Sequence, residues 1–352
     1  MTKRRAIILA VVFAALAGLV YLQFRTWKSF DWDIFLHETR QADPRRLLTA
    51  VAFIYSVYYL RALRWKIFLL PVRKTSAARL TPAQFIGFTG LALLGRPGEF
   101  IRPYLIARRE ELPFPSQIAV WMVERIFDSG SVAILLALAL LSHRLHTIPF
   151  LAENRQVMHR LNEMGYLLVA GVAFVALAAL VIRRNGNALA DWFEARLRRP
   201  LPKVAELVAQ KVRSFGAGLN TIHSVFSFFQ LLGISLLIWA IVGLAYAEVI
   251  RAYPDPRLHS IELPHVALLM VASMAGSMLQ LPGIGGGSQL ATIAVLSRIF
   301  EVPKELAASC GVMLWLVTFM AVIPAGLFLA HREHVSLREL EAESHAKEVA
   351  KD

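Results

Sequence analysis

A succession of apolar stretches, most of them close to the length of a bilayer crossing, constrains this chain more than any other feature. They run from Ala6 to about Tyr21, then Leu47 to Leu70, Ala83 to Leu94, Ser116 to Leu141, Gly165 to Ile182, Phe226 to Ile250, Pro264 to Leu281, Ile284 to Phe300 and Leu306 to Ala330. A bilayer core about 30 Å thick is crossed by roughly 20 predominantly apolar residues in a helix. The chain therefore holds about six to eight crossings and leaves no room for a second, soluble domain. Hydrophobic residues make up 57% of it and charged ones 18%, with a mean hydropathy of +0.53, outside the range of soluble globular chains. The expected fold class is an all-α integral membrane protein, a polytopic helix bundle.

The stretches are not all of one kind. Ala83 to Leu94 is too short to span and runs into Gly95-Arg96-Pro97-Gly98-Glu99, while Pro264 to Leu281 runs into Pro282-Gly283-Ile284-Gly285-Gly286-Gly287. Lipid cannot satisfy the backbone groups freed at such breaks, so they belong where protein or a water-filled cavity surrounds them. Residues 83–105 and 264–300 are therefore expected to form re-entrant hairpins, each of two half-helices meeting at a glycine-proline tip. Kinked spanning helices are the alternative.

Short cytoplasmic loops collect Lys and Arg. With the N-terminus inside, the basic stretches Arg61 to Arg79 and Arg183 to Arg213 fall inside, and the charge-mixed Arg25 to Arg46 and the short Arg251 to Glu262 fall outside. Two re-entrant hairpins then leave about six full spans, with the first hairpin opening from the cytoplasm, the second from outside, and both termini cytoplasmic. That arrangement is an inverted repeat, the usual frame of secondary transporters, although direct sequence self-similarity is weak. A formal charge of +13 would suggest nucleic acid in a soluble chain; here topology and anionic headgroups account for it, and no nucleic-acid partner is expected.

Lys3, Arg4 and Arg5 precede the first stretch, which suits a retained anchor; Ala15-Leu16-Ala17 resembles a cleavage site, but cutting there would strand the apolar residues Leu19 to Phe24. Residues 189–223 mix basic residues with Trp192, Phe193, Leu197 and Phe215 and read as a cytoplasmic amphipathic segment split near Pro200 to Pro202. Residues 331–352 form a charged cytoplasmic tail. The lone Cys310 reads as a packing residue. The pairs His143 with His146 and His331 with His334 lack the further ligands of a zinc site, so no metal or other cofactor is expected.

Charged residues inside spanning segments are costly, face the bundle interior and mark pathways. Glu124, Arg125 and Asp128 lie within Ser116 to Leu141, with Glu124 and Asp128 on one helical face, roughly 12 to 18 Å along the helix. Arg96, Glu99 and Arg102 surround the Pro97-Gly98 break; Glu99 and Arg102 share a face if the second half-helix starts there. Arg61 and Arg64 share a face near the end of the preceding span, with Trp65 beside them as an interfacial anchor. Arginine forks and half-helix N-termini suit a phosphate-bearing headgroup, with the carboxylates orienting the arginines or accepting a coupling proton. A closed salt-bridge network is the competing reading: Arg96, Arg102 and Arg125 balance Glu99, Glu124 and Asp128, and only the addition of Arg61 and Arg64 creates a surplus that needs an anion. The second tip, with Pro282, Gly283, Gly285, Gly286, Ser288 and Gln289, lacks the Gly-Lys-Ser/Thr ending of a nucleotide loop and reads as a flexible tip facing the pocket.

The run Gly95-Arg96-Pro97-Gly98-Glu99-Phe100-Ile101-Arg102, followed by Pro115-Ser116 and Glu124-Arg125-Ile126-Phe127-Asp128, resembles the lysylphosphatidylglycerol synthase transmembrane-region family, the flippase-like domain. Arg61-Ala62-Leu63-Arg64-Trp65 and Pro282-Gly283-Ile284-Gly285-Gly286 look like further parts of the pattern, which extends over about Ala6 to Ala330. The resemblance implies an inner-membrane bundle with re-entrant helices that moves lipids between leaflets, with members near polyprenyl-linked glycan, hopanoid and aminoacyl-lipid pathways. Two departures stand out. The family often has a glutamate after the second glycine turn, where this chain has Ser288-Gln289. The soluble aminoacyl-transferring domain of bifunctional members has no counterpart within these residues, so lipid lysylation is not expected.

The leading expectation is a transporter or flippase of an anionic or polyprenyl-phosphate-type lipid, not an enzyme. A membrane-embedded enzyme acting on a lipid phosphate is the runner-up, held back by the lack of paired metal ligands, a nucleotide loop or a histidine in the charged cluster. A non-transporting scaffold of a lipid or glycan biosynthetic complex is the third reading. Homodimerisation stays open.

Overall fold

Asp31 opens the first described helix: its carboxylate accepts the backbone N–H of Asp33 and Ile34 at the start of α1, Trp32–Gln41. The computed structural model describes residues 30–197, 224–277, 280–281 and 285–333. The first apolar stretch, residues 198–223 of the amphipathic segment, the tip residues Pro282 and Gly283 and the tail beyond Glu333 lie outside the described residues.

Helix α2, Pro44–Leu69, starts with an Asp43 cap on Arg45 N–H and proline in the first turn. Ser76 caps α3, Ala77–Leu94, by accepting from Arg79 N–H at 3.2 Å. At Gly95 the chain turns through φ 71° into a 3₁₀ segment, Arg96–Phe100, and α4, Ile101–Glu110, runs back along α3. The break is thus longer than its sequence suggests, because α4 starts at Ile101 rather than at Pro97-Gly98. Helix α5, Phe114–Leu140, follows; after two short turns, α6 extends unbroken over Arg155–Leu197. That helix joins the apolar stretch at Gly165 to the beginning of the amphipathic segment without a break.

Ser224 caps α7, Val225–Arg251, and a single turn, Pro256–His259, leads to α8, Leu263–Gly276. The second tip is not wholly irregular. A two-residue strand β1, Gln280–Leu281, pairs antiparallel with β2, Gly285–Gly286, Gln280 opposite Gly286. Helix α9, Gly287–Arg298, returns along α8, followed by α10, Lys304–Trp315, a π turn at Leu316–Met320 and α11, Val322–Arg332. Pro324 explains the π turn, since it cannot donate to the carbonyl one turn earlier. Gly286 sits at φ 123°, ψ −100°, a region essentially closed to residues with a Cβ. Gly286→Ala should therefore lower stability by about 1–3 kcal/mol, read as a lower melting temperature in detergent.

Polar clasps mark the two ends of the bundle. At one end Glu110 takes Thr75 and Arg79, each at 3.0 Å, and Arg109 grips Glu333 at 2.7 Å. At the other, Arg46 meets Glu248 at 3.2 Å, Asp43 N–H reaches the Ala252 carbonyl at 2.8 Å, and Arg144 meets Glu262 at 3.2 Å. The hairpin α3–α4 opens to the first end and α8–α9 to the second. Packing follows the same exchange: α2 lies on α7; α3 on α11 matches α8 on α5; α4 on α5 matches α9 on α10; and α1 on α10 matches α6 on α5.

The distribution of side chains is inside-out relative to a soluble protein. Phe226 and Leu167 are each 71% exposed, whereas Arg64 and Glu124 are fully buried. Three stretches, Pro44–Leu69, Phe226–Arg251 and Lys304–Arg332, are long and apolar enough to cross a membrane by length and composition among the described residues. Helix α5 is as long as α7 but carries Glu124, Arg125 and Asp128. Cys310 is buried in the core around α7 and α10, as expected of a packing residue.

Candidate functional site

Arg61 and Arg64 are three residues apart on α2, and Glu124 and Asp128 are four apart on α5, so each pair presents one stripe to the other helix. The first hairpin adds Arg102 from α4. It can do so because Gly87 on α3 lacks a side chain: a Cβ there would overlap the Arg102 Cβ.

Glu124 is the hub. It accepts from Arg64, from Arg102 through both carboxylate oxygens at 2.6 and 3.0 Å, and from the Trp65 indole at 3.0 Å. Asp128 takes Arg64 at 2.7 Å, the Trp239 indole at 3.1 Å, Arg125 at 3.1 Å and Arg61 at 3.4 Å. Ser235 accepts a second bond from Arg64 at 2.8 Å, and the Gln84 carbonyl one from Arg102 at 3.2 Å. Both carboxylates are saturated with donors, an arrangement that fixes the arginines in place. Four guanidinium groups meet two carboxylates in this cluster.

The cluster borders a cavity of about 330 Å³ between the two hairpin tips. Arg61, Arg96, Glu99 and Arg125 line it from one side; Ser277 and Ser288, at the ends of the second hairpin's helices, line it from the other. The residues singled out in the sequence thus divide. Arg64, Arg102, Glu124 and Asp128 form a buried ion-pair block behind the cavity wall. Arg61, Arg96, Glu99 and Arg125 reach the cavity itself, and the Arg125 side chain is 42% exposed. Arg96 and Glu99 form no ion pair among the described residues, and the 3₁₀ turn keeps Glu99 from pairing with Arg102. The count of basic residues in the loop after α2 shrinks accordingly, because Arg61 and Arg64 sit inside the helix.

Two further placements correct the sequence reading. Trp65 is fully buried and donates to Glu124 instead of anchoring at an interface. Gln289 folds back so that its side-chain oxygen accepts Gly286 N–H at 2.6 Å, capping α9, while Ser288 is the tip residue that lines the cavity. Trp239 and Ser235, four apart on the apolar helix α7, had no charge to announce them; a serine one turn before a tryptophan in such a helix was the available signal.

Broken helical hairpins with arginines and carboxylates sealed inside an apolar exterior define an all-helical integral membrane protein. Residues 7–326 match the model of the Lysylphosphatidylglycerol synthase TM region, and the chain belongs to that family. It is also 26% identical over 301 residues to Glycosyltransferase AglD of Haloferax volcanii, an alignment covering 77% of this chain and 46% of AglD. The chain thus spans about half the length of that relative.

Proposed function

We propose that the protein binds a phosphate-bearing anionic lipid in the cavity between its hairpins and passes it between leaflets. The surplus of guanidinium groups over carboxylates at the cavity wall carries this reading. Arg61 and Arg125 share Asp128 as counter-ion and Arg96 is exposed, so the cavity wall keeps a net positive charge that attracts an anionic ligand. The guanidinium fork is suited to phosphate. A closed network alone would be a poor stabiliser for its desolvation cost.

In the membrane, the two hairpins are re-entrant, opening to opposite faces, and about six helices cross fully. The exchange of packing partners between α1–α5 and α6–α11 supports an inverted repeat, the frame in which one half rocks against the other around a central site. Both termini lie on the cytoplasmic face of an inner-type membrane, and Arg73, Lys74 and Arg79 at the first end of the bundle fit that side.

A second reading comes from AglD, whose name states glycosyl transfer: the cavity would then hold a lipid phosphate while a sugar is added or removed. Purified protein in liposomes with a fluorescent phosphatidylglycerol separates the two. Leaflet exchange well above that of empty liposomes, read by external quenching, is expected; exchange no faster than empty liposomes, with steady conversion of a polyprenyl phosphate, would favour the enzyme.

A further inference from the structure

Opposite its arginines the cavity is chemically different. The wall given by α7, α8, α9 and the α10–π segment carries Tyr246, Ser273, Ser277, Ser288, Thr318 and Trp315, with no charge among them. Most of these hydroxyl protons are already committed. Ser277 donates to the Met274 carbonyl at 2.6 Å, Thr318 to the Leu314 carbonyl at 2.7 Å and Ser288 to the Gln289 side-chain oxygen at 3.1 Å. Tyr246 lies beside Ser273 and Thr318. A hydroxyl whose proton is spent offers its oxygen lone pairs, so this wall presents acceptors. The Trp315 indole N–H is the exception: it is buried with no partner among the described residues, a donor left over in the wall.

The two walls therefore ask for different halves of one molecule. Phosphate oxygens only accept, and they match the arginine side, where among the described lining residues the three guanidinium groups only donate and outnumber the single acceptor carboxylate of Glu99. The facing wall needs a group rich in O–H donors with at least one acceptor for Trp315. An ammonium could also donate there, but Arg61, Arg96 and Arg125 outnumber Glu99, the one carboxylate among the described lining residues, so a positive headgroup is repelled. A cavity of about 330 Å³ is near the small end of ligand sites, about 300–1,000 Å³, which suits a phosphate with one polyol or sugar-sized group.

Resting on the lipid-phosphate reading of this site, we infer that the headgroup is a phosphate bearing an uncharged polyhydroxyl group, a polyol or single sugar, and not an aminoacyl or other ammonium group. The hydroxyl wall is the specificity element and the arginine wall the affinity element.

Native mass spectrometry of the full chain, released from nanodiscs containing equal amounts of four lipids with matched acyl chains, tests this. Phosphatidylinositol and phosphatidylglycerol carry the hydroxyls, phosphatidic acid the bare phosphate, and phosphatidylethanolamine the ammonium. The polyol lipids should be retained about tenfold over phosphatidic acid, as expected for one or two net hydrogen bonds, with phosphatidylethanolamine lowest. Ser277→Ala with Ser288→Ala, and separately Trp315→Phe, should shrink the polyol advantage while leaving phosphatidic acid retention in place. Equal retention of phosphatidic acid and the polyol lipids, all weakened by Arg61→Gln, would overturn the polyol inference and leave the phosphate-lipid reading intact. Retention indifferent to Arg61→Gln would overturn both. The wild-type ranking decides even if a variant is lost to misfolding.

Discussion

Glu124→Ala should lower the stability of the folded protein by about 3–5 kcal/mol, the usual cost of removing one partner of a buried ion pair. Glu124 is fully buried and is the carboxylate that holds Arg64, Arg102 and the Trp65 indole together. Without it, Asp128 alone faces the surrounding arginines, and Arg102 keeps only the Gln84 carbonyl as a hydrogen-bond acceptor. Thermal unfolding in detergent, followed by tryptophan fluorescence, should show a melting temperature lower by roughly 6–10 °C, at about 2 °C per kcal/mol. Glu124→Gln, which keeps an acceptor oxygen but no charge, should fall between. Combining Glu124→Gln with Arg102→Met should recover part of the loss, because the second change removes the orphaned cation instead of adding a contact. A melting temperature for Glu124→Ala within 1–2 °C of wild type, about 1 kcal/mol or less, would mean that solvent reaches the cluster and compensates it.

What could be read in advance, and what could not, follows from the physics of each residue. Arg61, Arg64, Arg102, Glu124 and Asp128 were legible because an ionised group within an apolar run has few tolerable positions, and the interior is the main one. The hairpin turns were legible for a related reason: glycine and proline clusters free backbone groups that only protein or water can satisfy. Gly95 and Gly286 do turn the chain with positive φ. The condition that the second half-helix starts at Pro97-Gly98 is not met, and the residues do not reveal it because a 3₁₀ turn carries the same residue types as an α-helical first turn; only the carbonyl that is reached differs. Trp65 was misjudged because tryptophan near the end of a span usually sits in the interface, and only the tertiary approach of Glu124 assigns its N–H elsewhere. The exchange of packing partners between the two halves leaves little trace in the residues. The α2–α5 half carries the ionised cluster; the second half meets the cluster and the cavity with uncharged groups, Ser235, Trp239, Ser273 and Thr318, so the halves are alike in how helices pack and unlike in composition.

Arg61→Gln should do the opposite of Glu124→Ala: it should abolish most of the lipid binding while leaving the fold nearly untouched. Arg61 is the loosest member of the cluster, 3.4 Å from Asp128 and 3.7 Å from Glu124, with its guanidinium 4.9 Å from the Phe88 ring centre and directed along the cavity wall. Asp128 keeps Arg64, Arg125 and Trp239 without it. Removing one cation from a set that exceeds its carboxylates also relieves repulsion, so stability should change by no more than about 1 kcal/mol. A phosphate that loses a charged hydrogen bond should bind more weakly by about 1.5–3 kcal/mol, roughly ten- to a hundredfold in retained lipid. Leaflet exchange should fall in the same proportion. Arg61→Lys keeps the charge but not the planar fork and should lie between. If Arg61→Gln instead melts as early as Glu124→Ala, and exchange drops only in step with the folded fraction, Arg61 belongs to the ion-pair block and the lipid-phosphate reading of the cavity is overturned.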